Sequence, residues 1–290
     1  MTSETSAEQP VADKKSFGER VIHEIRETAM TIAVFVPFWL VFSTFVYELR
    51  SIPSESMVPA LQVGDRVAVA KFAYGYDRNS VPFGLGRLFI GDDKSRPDQK
   101  AFSSLPKRGD VIVFQHPNDP KVMIKRIIGL PGDTVQYMDG KLNLNGAEVP
   151  REEVRATTYV QSDSARMLRT ATEYLEQLPG EAKAHRIHEF SDDECLDRTP
   201  IFRVPDGHVF MMGDNRDNSE DSRASSGHPN MAAAFPEAWN CRAISGGEMA
   251  VGFVPLDHLI GRAETVLFTL HGCRRADGAE CAAPRLWRGL

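Results

Sequence analysis

Hydrophobic positions fall into two rhythms along the 290-residue chain. Between Glu27 and Glu48 runs a stretch without a formal charge, Thr28 to Tyr47, TAMTIAVFVPFWLVFSTFVY. At about 1.5 Å per residue a helix of that length reaches roughly 30 Å, the thickness of a bilayer's hydrocarbon core. Soluble helices rarely run so long without a charge, so the pattern predicts a membrane span, kinked at Pro37. Trp39 and Tyr47 are amphipathic aromatics, and Tyr47 stands near an end, where an interfacial belt forms. Residues 17–27 mix charges with Phe17, Val21, Ile22 and Ile25 and are expected to lead helically into the span. Residues 1–16 are polar and expected to be disordered.

Beyond Arg50 the rhythm shortens. RVAVAK (66–71), VIVF (111–114), VMIKRII (122–128) and HVFMM (208–212) are brief runs rich in β-branched and apolar residues, which predict strands. Pro131-Gly132, Asp139-Gly140, Asn145-Gly146 and Asp206-Gly207 are tight-turn signals. VQYMDGKLNLNGAEV (135–149) reads as three strands joined by two such turns. A helix around Glu173–Gln177 is weakly signalled. The predicted fold class is mainly β: a single N-terminal transmembrane helix followed by an antiparallel β catalytic core with an inserted smaller subdomain. The predicted division is a cytoplasmic segment 1–27, an anchor 28–47 and a first part of the core 48–140. The inserted subdomain follows at 141–205, then a second part of the core 206–270 and a tail 271–290. Within that second part, residues 224–250 are rich in Ala, Gly, Ser and Pro and read as a long surface loop.

Composition narrows the class. With 42% hydrophobic and 26% charged residues, a mostly disordered or collagen-like chain is excluded. Lys plus Arg is 34 and Asp plus Glu is 40, a net charge of −6, which argues against a broad basic footprint for nucleic acid. The 4 cysteines are too few for a disulfide scaffold, and no pair has zinc-ligand spacing. The apolar run is longer than the ~7–15-residue core of a cleavable signal, and no small-x-small site follows it, so a retained anchor is expected. Lys14, Lys15, Arg20 and Arg26 precede it, whereas only Arg50 and Arg66 follow closely. The positive-inside rule then puts the N-terminus in the cytoplasm and the rest of the chain across the membrane. There Cys273 and Cys281 can close a small loop, leaving Cys195 with Cys241, the favoured of three connectivities.

Two segments carry candidate chemistry. In Ile52-Pro53-Ser54-Glu55-Ser56-Met57-Val58-Pro59 the prolines stiffen the backbone around two serines. Such rigidity suits a nucleophile held at a fixed approach, and it equally suits a plain turn. In VMIKRII the strand period places Met123, Lys125 and Ile127 on one face. A lysine buried there has its pKa lowered from the ordinary ~10.4 and, once neutral, accepts a proton from a serine hydroxyl. A solvent-facing Lys125 fits the same pattern equally well. A third segment, GDNRDNSEDSR (213–223), fails as a calcium loop: Arg216 stands at position three, with no Gly at six and no Glu at twelve. Ser219 there is placed to orient an amine, and Asp221 and Arg223 to form a supporting ion pair.

The ordered series PSESMVPAL, DRVAVAKFAYG, RGDVIVF, IKRIIGLPGD and GDNRDNSEDSR, behind an anchor, resembles the motifs of bacterial type I signal peptidases, the leader peptidases. It covers roughly 50–76, 107–140, 204–223 and 252–262, close to half of the chain. The resemblance implies a membrane-anchored serine endopeptidase with a Ser-Lys dyad that removes N-terminal signal peptides from exported preproteins after a small-x-small motif. It implies Ser56 as nucleophile and Lys125 as general base, with the Ser54 hydroxyl and the Ser56 N–H forming the oxyanion hole. Ser219 would hydrogen-bond the lysine amine, and Asp221 and Arg223 would support the site from beneath. Ile52, Pro53, Met57, Val113 and Ile124 are the pocket candidates for small side chains. No cofactor and no metal are implied. The implied partners are signal peptides, the phospholipid bilayer and the export machinery, with no nucleic acid. The implied location is the bacterial inner membrane, single-pass, with the catalytic domain on the periplasmic side.

Three features depart from that pattern. Glu55 stands where many relatives carry a small residue and is expected to face solvent. The insertion 224–250 separates Arg223 from Gly252-Phe253-Val254-Pro255. VPFGLGRLF (81–89) is apolar for an exposed loop and is expected to dip into the membrane surface. Rival readings are weaker. Ser104-Leu105-Pro106-Lys107 has the letters of S-x-x-K, but no K-T-G occurs and Pro106 breaks the helical turn that motif needs. A self-cleaving repressor would bring a DNA-binding helix-turn-helix and no anchor. A tethered non-enzymatic module would not need both Ser56 and Lys125. His185-x-x-His188 lacks a third ligand, and both histidines are expected at the surface.

Overall fold

The computed structural model describes residues 17–75, 104–160, 168–192, 194, 196–224, 251–270 and 285–290. The chain separates into two compact units, one ending at Ser43 and one running from Thr44 to Leu290. In the first, the long apolar run is helical: α1 spans Phe17–Phe45, 29 residues with Pro37 inside. Its apolar side chains, among them Ile32, Val34, Phe35, Phe38, Trp39 and Val41, are exposed. The side chains of Leu40 and of residues 43–45 lie outside the description. Among the described residues no helix is long and apolar enough to cross a membrane. The predicted span therefore rests on the sequence.

The second unit is built from antiparallel strands. β1 (Tyr47–Ser51), β2 (Asp65–Ala70), β3 (Val111–Gln115) and β4 (Val122–Gly129) precede a meander of β5 (Thr134–Met138), β6 (Lys141–Leu144) and β7 (Ala147–Glu148). Then come β8 (Arg151–Val160), β9 (Leu168–Glu176), β10 (His185–Glu189), β11 (Phe202–Arg203), β12 (His208–Met212), β13 (Val254–Pro255), β14 (Leu259–Thr269) and β15 (Leu286–Gly289). They form three sheets. The largest has eight strands in the order β1-β2-β14-β3-β4-β12-β13, with β15 also on β14. β11-β5-β6-β7 makes the second and β10-β9-β8 the third.

The large sheet positions the candidate chemistry. β3 and β4 pair so that Ile112 faces Lys125 and Val113 faces Ile124. On one side Ile112, Phe114, Ile127, Val209, Met211, Val254 and Leu259 form a buried cluster. A second cluster gathers Ile52, Met57, Leu61, Val67, Val111, Ala263 and Val266, with Ile124 packed against it. Each such side chain contributes roughly 1.5–3 kcal/mol on burial, so the segment around Ser56 is anchored by the apolar residues that flank it. The meander is as the turns predict. Asp139-Gly140 and Asn145-Gly146 all have positive φ, which a two-residue hairpin of matching twist requires.

The helix expected around Glu173–Gln177 is a strand instead. β9 is paired on both sides, by β8 and β10. Ala171 and Glu173 alternate into the interior, and Glu176 is buried as well. Two of those inward residues are carboxylates satisfied by distant arginines, so an apolar-period reading could not see the alternation. The cysteines 195, 241, 273 and 281, the segment 81–89 and nearly all of the 224–250 insertion lie outside the described residues.

Candidate active site

Ser56 and Lys125 meet. Lys125 Nζ lies 2.6 Å from Ser56 Oγ, and both side chains are buried. Lys125 is 2% exposed, which closes the alternative of a solvent-facing lysine. Burial pushes its amine down to about 8, with Asp221, Glu220 and Asp214 pulling the other way. Lysine next to a serine hydroxyl in a dry site is an acid–base pair poised near neutral pH. Ser54, on the exposed side of the same turn, holds its Oγ 3.4 Å from Ser56 Oγ.

The segment 213–223 wraps this pair. Asn215 N donates to the Ser56 carbonyl at 3.1 Å, and its Nδ2 donates to the Glu55 carbonyl at 3.1 Å. These bonds fasten the backbone around Ser56 from the far side. Gly213 sits so close that an added Cβ would collide with the Ser219 side chain and the Ser56 carbonyl. Its N–H donates to Asp221 Oδ2 at 3.1 Å. Asp221 and Arg223 form a buried ion pair, with Nε and Nη2 each 3.0 Å from a carboxylate oxygen. Burial alone would raise the Asp221 carboxyl, but the Arg223 guanidinium holds it below its ordinary value. Ser219 is buried within this loop, and its Oγ has no hydrogen-bond partner among the described residues, Lys125 included.

The remaining predicted positions divide. Ile52, Met57 and Ile124 pack in one cluster beside Ser56, Val113 is buried opposite Ile124, and Pro53 is exposed. Glu55 does not face solvent: it is 7% exposed, and Asn218 Nδ2 lies 3.4 Å from its Oε2. His185 and His188 are not surface residues either. Both are buried against carboxylates, His185 beside Glu176 and Glu181 and His188 beside Glu173. No group of three metal-ligating side chains is gathered among the described residues.

Sequence reasoning missed Arg126, Asp214, Asn215 and Arg216. Arg126, next to Lys125, clasps Asp214 through two hydrogen bonds of 2.7 Å. Arg216 holds Glu176 at 2.9 and 2.5 Å and donates from Nε to the Gly213 carbonyl at 3.1 Å. For Arg126, Asp214 and Arg216 the only signal was their charge within motif words, and the neutral Asn215 had none.

A family model described as signal peptidase, peptidase S26, matches residues 25–268. The chain belongs to that family. It is a serine peptidase and therefore a hydrolase. A protein named signal peptidase I from Rickettsia typhi is 31% identical over 237 residues, 79% of this chain and 75% of its own. Another of that name from Pseudomonas aeruginosa is 37% identical over 229 residues, 78% of this chain and 66% of its own. A crystal structure of a signal peptidase I from Enterococcus faecalis V583 covers 55% of this chain and 97% of that one, at 24% identity and a TM-score of 0.28.

Proposed function

We propose that this peptidase removes signal peptides from exported preproteins by a Ser56–Lys125 dyad while anchored through residues 28–47. The observation that carries the reading is the 2.6 Å contact between a buried lysine amine and the Ser56 hydroxyl, with the amine held down to about 8. Neutral Lys125 takes the proton from Ser56 Oγ as that oxygen attacks the scissile carbonyl. The developing oxyanion is stabilised by the Ser54 hydroxyl and the Ser56 N–H. The Lys125 ammonium then returns its proton to the departing amine, leaving an acyl-enzyme on Ser56. Water enters, gives a proton to Lys125 and attacks the acyl carbon; the ammonium reprotonates Ser56 as the acid product leaves.

Ser219, whose Oγ has no partner among the described residues, orients the neutral amine by accepting one of its N–H groups, which leaves the lone pair of Lys125 for the Ser56 proton. An extended peptide alongside a strand edge presents alternate side chains to the surface formed by Ile52, Pro53, Met57, Val113 and Ile124, which suits small residues at the first and third positions before the cut. The charge-free run, the exposed apolar face of α1 and the basic residues ahead of it support a single-pass anchor with a cytoplasmic N-terminus and a periplasmic catalytic unit.

The test is cleavage of a purified preprotein in detergent by wild type, Ser56→Ala and Lys125→Met. The reading expects one cut after a small-x-small site by wild type and none by the two variants, with all three folded. Cutting at the same site by Ser56→Ala would reject the nucleophile. An inert wild type on several preproteins would favour a tethered non-enzymatic module.

A further inference from the structure

The three-stranded sheet reaches the active site through an unbroken chain of buried charges. Arg126, the neighbour of Lys125 on β4, clasps Asp214 and donates to the Gly109 carbonyl at 2.8 Å. Glu181, in the turn after β9, approaches the same guanidinium at 3.7 Å. Glu176, at the end of β9, grips Arg216, whose Nε holds the Gly213 carbonyl. Gly213 in turn packs against Ser219 and the Ser56 carbonyl. Between the two arms stands His185 on β10, with Nδ1 hydrogen-bonded to Glu181 Oε2 at 3.0 Å and Nε2 3.3 Å from Glu176 Oε2, an ion-pair approach without hydrogen-bond geometry.

We propose that Glu176, Glu181 and His185 are positioning residues for the Ser56–Lys125 pair, with protonated His185 as the clasp that keeps the two arms together. The inference rests on the dyad reading above. It follows from charge balance in a dry site. Arg126, Arg216 and a protonated His185 offset Asp214, Glu176 and Glu181 three for three, all of them buried or nearly so. A neutral His185 leaves one negative charge uncompensated between two carboxylates, a costly state in a buried network.

The groups facing His185 are Arg126 from β4, Asp214 from the loop after β12, Glu176 from β9 and Glu181 from the turn. Burial and Arg126 push the imidazole down, but the contacts with Glu176 and Glu181 and the charge of Asp214 outweigh them, leaving it above its ordinary value. These contacts favour the imidazolium, which is lost as pH rises through that raised value. One arm ends on the residue beside the base and the other on the loop fastened to the nucleophile's carbonyl. Slackening either one shifts the dyad, and a displacement of about 1 Å costs roughly 10²-fold in turnover.

The test is kcat and KM against pH for wild type, His185→Gln, Glu176→Gln and Arg155→Ala, with Ser56→Ala alongside and thermal unfolding of each. Arg155 is exposed and reaches Glu173 at 3.8 Å on the same sheet, outside the chain of charges, so it controls for sheet integrity. The expected result is a roughly 10²-fold fall in kcat for His185→Gln and Glu176→Gln at nearly constant KM, with Arg155→Ala unchanged. Wild type should also lose turnover as pH rises through a step that His185→Gln lacks. Should Glu176→Gln not fold, Glu181→Gln reads the other arm. Wild-type kcat in folded His185→Gln and Glu176→Gln, or a loss that only tracks the folded fraction, would overturn the positioning role. Cleavage surviving in Ser56→Ala would overturn the dyad itself.

Discussion

Ile112, Phe114, Ile127, Val209 and Met211 close the large sheet around an apolar centre, whereas the three-stranded sheet buries Glu173, Glu176, His185 and His188. One region is held by area removed from water, the other by ion pairs whose desolvation is costly and whose partners lie far away in sequence. The proposed active site lies where the two meet. Ser56 is fixed by its apolar neighbours, and Lys125 sits on an apolar strand beside an arginine that belongs to the ionic side. The apolar region should therefore respond to truncation alike at every pH, while the ionic region should not.

The sharpest way to break that contrast is a matched pair of truncations. Ile127→Ala should cost about 2–5 kcal/mol in urea unfolding, with little change between pH 2 and pH 7. Glu176→Ala should cost about 3–5 kcal/mol at neutral pH by stranding Arg216. Burial opposes the Glu176 carboxylate, but Arg216 and His185 outweigh it and hold its pKa far below the ordinary 4.5. Its stabilisation is thus full above 4.5 and lost as pH falls through the depressed folded value. Similar pH dependence for both variants would dissolve the distinction.

Next in size is Lys125→Met. The folded amine titrates at about 8 against 10.5 ordinarily, so a buried ammonium opposes folding by about 3 kcal/mol below pH 8, and the penalty fades between 8 and 10.5. The variant should be inactive and more stable than wild type at pH 7 by up to that amount, the gain vanishing by pH 10.5. Comparable in size, and read in turnover, is Gly213→Ala. Its methyl must push back the Ser56 carbonyl or Ser219, and kcat should fall roughly 10²-fold in a folded protein. Smallest is Arg155→Ala, which removes an exposed guanidinium 3.8 Å from the buried Glu173 while Arg186 still contacts that carboxylate, and it should change stability by less than about 1 kcal/mol.

The same contrast explains what the sequence disclosed. Runs such as VIVF and HVFMM announced their strands because their partners are apolar neighbours on the same sheet. Lys125 between Met123 and Ile127 was recognisable as a buried lysine in one of two readings, and the burial of its strand decides between them. β9 was misread because its inward residues include Glu173 and Glu176, whose partners Arg186 and Arg216 are set by tertiary structure. The same holds for His185 and His188, whose burial depends on carboxylates and not on their neighbours in sequence. Glu55 was expected outside for its charge alone, yet the loop bearing Asn215 and Asn218 folds over it. Asn215 gave no signal at all, since a side-chain amide that braces a distant carbonyl has no local pattern.

The central claim is that Lys125 is a base near neutral pH. Its most direct test is the ¹⁵Nζ signal of Lys125, assigned by its disappearance in Lys125→Arg and followed from pH 6 to 11 in the resting peptidase. The account predicts a midpoint of about 8. A midpoint near the ordinary lysine value of 10.5 would contradict it.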